Sequence, residues 1–220
     1  PDAPNRFVIN VMPEQSEAFQ KALHEAGVNK YDWYPMIRGR LVAINGKPVS
    51  PDDYTDDRAR RLVDREFNLS NSAQAPEHNS IVAGQWTPNA AGEMSVEEGL
   101  ATTLGMKLGD TLRFDIGGQQ TDARITSLRK VDWGSLHANF FVMYTVANLP
   151  DVPVTYMGAF RAPDVWPPRS ATSRGTPPSD GAPSALGRAG EGSGGFDNAL
   201  VRAFPNITNV DMSATIGQVQ

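Results

Sequence analysis

Residues 95–125 read SVEEGLATTLGMKLGDTLRFDIGGQQTDARI. Two periodicities follow one another here. Ser95 and Glu98 stand three apart, as in a capping box, in which the hydroxyl takes an amide of the first turn and the carboxylate reaches back. Val96, Leu100 and Leu104 then recur every four residues on one helical face, and Gly105 stands where a left-handed residue ends a helix. Beyond the turn at Leu108-Gly109-Asp110, Leu112, Phe114 and Ile116 alternate with polar residues. Gly117-Gly118 reverses the chain, and Ala123 and Ile125 alternate on the way back. A period of two on both arms predicts a hairpin with one buried face.

The same mixture extends outward. Arg6–Val11 reads as a strand. Pro13 and Glu14 suit a first helical turn, and Phe19, Ala22, Leu23 and Ala26 share one helical face, with Gly27 to end it. A strand over 36–44 leads to the turn signal Asn45-Gly46. Residues 51–66 predict a short exposed helix, acidic early and basic late, followed by strand fragments at 66–70 and 81–86. On the other side lie an apolar strand over 139–147, a short strand at Thr155–Phe160, and a helix with Phe196, Leu200 and Phe204 on one face. Pro205 stops that helix. Asn206–Val210 reads as a strand, and Met212, Ile216 and Val219 begin an amphipathic helix. Strands and helices interleave without a regular βαβ repeat, which sets the fold class as α+β. The outer parts, 1–50 and 136–220, resemble a split βαβ, ferredoxin-like unit, with 51–135 as an inserted strand-rich lobe.

Composition narrows the function classes. Twenty Lys+Arg against 25 Asp+Glu give a net charge of −5 over 220 residues, which argues against a broad nucleic-acid surface. The chain has no cysteine, which excludes disulfides, thiolate metal sites and cysteine nucleophiles. Eighteen of the 33 residues at 163–195 are Pro, Gly or Ser, a composition that predicts a disordered insertion. The chain opens PDAPNRF, with no signal-peptide pattern, and stops at Gln220 inside a helical pattern, so both ends are expected to be cut.

Motifs with catalytic meaning are weak. His24, His78 and His137 lack zinc-ligand spacing and read as surface or capping residues. Asp52, Asp53, Asp56 and Asp57 lack the calcium-loop alternation and read as a solvated helix start. Arg58, Arg60 and Arg61 have acidic neighbours and read as a salt-bridged face. Gly190–Gly195 matches GxGxxG but sits in low-complexity sequence without a strand before it. No serine occupies a G-x-S-x-G elbow. Asn206-Ile207-Thr208 fits a glycosylation sequon. Trp33, Trp86 and Trp133 are expected to be packed, and Trp166 exposed. No catalytic, cofactor-binding or metal-ligating residue is therefore assigned.

Taken in order, MIRGRLVAINGKPV, REFNLS, PEHNSIVAGQW, SVEEGLATTLGMKLGDTLRFDIGG, SLRKVDWGSLHANFFVMY and LVRAFPNITNVDMSATIGQVQ carry a resemblance. The chain resembles the extracytoplasmic, MacB-like periplasmic core domain of MacB/FtsX-like ABC-transporter permeases, and within them the YbbP-type group. The resemblance implies a porter-like α+β lobe with an inserted sabre-like lobe. It implies a periplasmic domain of a bacterial inner-membrane protein, with no catalytic residues and no cofactor of its own. ATP would be used by a separate cytoplasmic ATPase subunit, and the domain would couple that hydrolysis to movement of a lipid, lipoprotein or other periplasmic partner. The isolated fragment is expected to be monomeric and to bind no nucleic acid. Two other readings stand beside it: a stand-alone periplasmic binding or adaptor domain, and a secreted lipid esterase.

Overall fold

The computed structural model describes residues 3–167 and 193–212. In chain order the elements are β1 (Arg6–Val11), α1 (Pro13–Glu25), β2 (Tyr31–Ile44), β3 (Lys47–Pro48) and a 3-10 turn at Pro51–Asp53. Then come α2 (Asp57–Val63), β4 (Phe67–Asn71), β5 (Ser80–Gly84), β6 (Glu93–Glu97), α3 (Glu98–Leu104), β7 (Thr111–Ile116) and β8 (Gln119–Lys130). The series ends with β9 (Val142–Tyr144), β10 (Thr155–Phe160), α4 (Ser193–Ala203) and β11 (Thr208–Asp211). The class is mixed α+β.

The chain divides into two compact units: an outer one of 1–33, 136–138 and 155–220, and an inner one of 34–135 and 139–154. The sequence boundaries at 50 and 135 differ from this division. Two strands account for this: β2, a 14-residue strand, continues past Trp33 to pair with β4 and β7, and β9 pairs with β4 and β6, which places 34–50 and 139–154 in the inner unit.

In the outer unit β1 is paired antiparallel on both sides, with Arg6 opposite Phe160 of β10 and opposite Asp211 of β11. The β10 register shifts between Val8 and Val11, where Asn10 takes a positive φ of 64°. Asparagine tolerates that conformation. Phe19 and Leu23 of α1 and Phe196 and Leu200 of α4 are fully buried against Val8, Val11 and Phe160. These are the helical faces that the apolar spacing marked out. Trp33 is stacked between Phe19 and Tyr156, at centroid distances of 5.4 and 6.0 Å.

The inner unit is built on a closed circuit of pairings: β2–β4, β4–β9, β9–β6, β6–β8, β8–β7 and β7–β2. Two of these, β4–β9 and β6–β8, are parallel. Inward residues of every strand in the circuit, among them Leu69, Met94, Phe114, Ile125 and Val142, form one core with Leu62 of α2 and Leu100 of α3. Alternation puts these side chains inside, as in a small filled barrel. Both turns marked by glycine are as expected: Asn45-Gly46 and Gly117-Gly118 have positive φ at both residues, the signature of type I′ hairpins. Gly105 ends α3 with φ 73°.

Several expectations are corrected. Ser95 does not cap α3. It lies within β6, paired on both sides, so the helix starts later and Glu97 is its N-cap. The strand expected at 139–147 is reduced to Val142–Tyr144, because side chains take carbonyls on either side of it. Arg129 binds those of Phe140 and Phe141, and Asn71 those of Val146 and Ala147. The helix expected over 51–66 splits into the 3-10 turn and α2, and α2 buries Ala59, Leu62 and Val63 rather than lying exposed. Trp166 is buried, its ring against Phe196, whereas Trp133 is 47% exposed, resting on Phe141 at 4.7 Å. Most of the 163–195 insertion and the helix expected from Met212 lie outside the described residues.

Candidate functional site

His24 is exposed on α1. His78 lies edge-on to Tyr34 at 6.4 Å. His137 differs from its expected role: its Nδ1 lies 2.9 Å from Oδ2 of Asp32, the same oxygen that accepts the Ala138 amide at 2.9 Å. The partner stands 105 residues away in sequence, so no local spacing could reveal it.

The acidic run is used for capping. Ser50 Oγ accepts the Asp52 amide and Asp53 returns a bond to the Ser50 amide, while Asp56 Oδ2 accepts the Ala59 amide at the start of α2. Arg60 lies 3.8 Å from Asp52, an exposed pair. The side-chain amide of Asn206 in the sequon donates to the Asn10 carbonyl at 3.0 Å and meets Gln15 at 2.8 Å. The GxGxxG glycines Gly190 and Gly192 lie outside the described residues.

Two buried arginines, neither singled out in the sequence, organise the units. Arg6, 3% exposed, makes a two-point contact with Asp197 of α4 and a third bond to Asp211 of β11. Asn209 adds a bond to Asp197 at 3.0 Å. In the inner unit Arg129 is fully buried. Nε donates to Ser95 Oγ at 2.9 Å, Nη1 to Asn79 Oδ1 at 2.7 Å, and Nη2 to the Phe140 carbonyl at 2.8 Å. Burial lowers its pKa to about 10, while the nearby charge of Glu97 acts in the opposite direction. The only sequence signal for Arg129 was a cation at an inward position of the alternating β8 pattern.

An open groove of about 460 Å³ lies at the Gly84 end of β5, lined by Gln85, Glu93, Leu108, Arg124, Ile125 and Thr126 among others. Arg124 and Thr126 share the outer face of β8. The Thr126 hydroxyl is buried and has no hydrogen-bond partner among the described residues. The groove is open rather than an enclosed chamber, a shape suited to holding part of a larger partner.

The chain matches no family model. Along its whole length it is similar to a transporter component: 36% identity over 219 residues to an uncharacterized ABC transporter permease, YbbP, of Escherichia coli K12. The match covers 100% of this chain and 23% of that relative, so the chain corresponds to under a quarter of the permease. Among solved structures, a domain described as part of a permease protein of Porphyromonas gingivalis aligns over 72% of this chain and 76% of its own. Its identity is 12% and its TM-score 0.38, too low to establish a shared fold.

Proposed function

We propose that this chain is a non-catalytic extracytoplasmic domain of a bacterial ABC-transporter permease. In this reading it couples ATP hydrolysis by a separate cytoplasmic ATPase to movement of a lipid, lipoprotein or other periplasmic partner. The similarity to a permease over the whole chain carries the reading. The outer unit is read as the porter-like lobe, and its strand order β11, β1, β10 and then the start of β2 supports a ferredoxin-like split βαβ arrangement. The inner unit, with its closed circuit of strands, is read as the sabre-like lobe. Among the described residues no helix is long and apolar enough to cross a membrane.

Mechanical coupling needs motion at the chain ends to reach stiff elements. The neighbouring strands β1 and β11, joined through Arg6, supply such a link in the outer unit. The test is the full permease reconstituted with its ATPase in proteoliposomes. Deleting this domain is expected to abolish partner-dependent stimulation of ATP hydrolysis while basal hydrolysis persists. Unchanged stimulation overturns the reading, as does ester hydrolysis by the purified domain.

A further inference from the structure

We draw no further inference here: the strongest candidate, the side-chain cluster of Asp32, His78 and His137, divides its three ligand atoms between the two compact units, and no second observation in either unit points to an ion that it would hold.

Discussion

Arg6 and Asp197 meet fork to fork, Nε to Oδ1 at 2.9 Å and Nη2 to Oδ2 at 3.0 Å, although 191 residues separate them. The contact joins the first strand of the outer unit to α4, and the bond from Nη1 to Asp211 at 2.8 Å brings in the last strand. A buried guanidinium held by two carboxylates is costly to disrupt from one side, since the remaining groups lose their counter-charge. Arg6→Met is therefore expected to destabilise the chain by about 3 kcal/mol in urea titrations. Arg6→Lys retains charge but loses the fork, and should recover only part of that loss. Faster amide exchange in Thr208–Asp211 than elsewhere would locate the effect.

Arg129 presents a different balance. Its hydrogen-bond acceptors are neutral, in Ser95, Asn79, Phe140 and Phe141, and it organises the turn before β9. Truncating it strands buried carbonyls and a hydroxyl, so Arg129→Ala is expected to cost about 3–5 kcal/mol, read as a fall in the urea midpoint. Asn79→Ala removes one acceptor and should cost about 1–2 kcal/mol.

The N-cap of α3 rests on one carboxylate. Glu97 accepts from the Gly99 and Leu100 amides at 2.9 and 2.7 Å. Glu97→Ala should cost about 1–2 kcal/mol, with Glu97→Asp intermediate, measured by thermal melts.

Alkaline pH separates two groups. Burial raises the pKa of Tyr144, and its hydroxyl is 3.0 Å from Thr121 Oγ1. A raised phenol pKa means the folded chain holds its proton longer than the unfolded one. Stability from this group is thus intact below about pH 10 and lost as pH climbs through the folded value. Arg129 acts oppositely: its lowered pKa penalises the charged form, and that penalty shrinks above about 10. Tyr144→Phe should flatten the alkaline fall in Tm, leaving the Arg129 contribution visible. An unchanged profile between pH 9 and 11 would contradict the assignment.

Gly158 allows close packing in the outer unit. An added Cβ would lie 2.8 Å from Trp33 Cε3 and 3.0 Å from the Asp32 carbonyl. Because Trp33 is clamped between Phe19 and Tyr156, it has little room to move. Gly158→Ala should cost about 1–3 kcal/mol and alter tryptophan fluorescence.

Local features were readable in the residues. The face of α1, the glycine turns at 45–46 and 117–118 and the alternation of β7 depend on neighbours within a few positions. What escaped depends on distant partners. Ser95 and Glu98 have capping-box spacing, yet β8 and β9 claim Ser95 for the sheet. Trp133 and Trp166 exchanged their expected exposures because burial was decided by Phe196 and by the turn at 132–135. The roles of Arg6, Arg129 and the Asp32–His137 contact required the fold itself. The groove at Arg124 was equally hidden, since Gln85, Glu93, Leu108 and Arg124 are gathered from four separate stretches.

The ring of hydrogen-bonded strands in the inner unit has a kinetic corollary. A hoop has no outermost stave to peel away, so its amides have no cheap route to solvent. Their slowest exchange should converge on a single rate, whereas β5, attached to the hoop by one side, should fray independently.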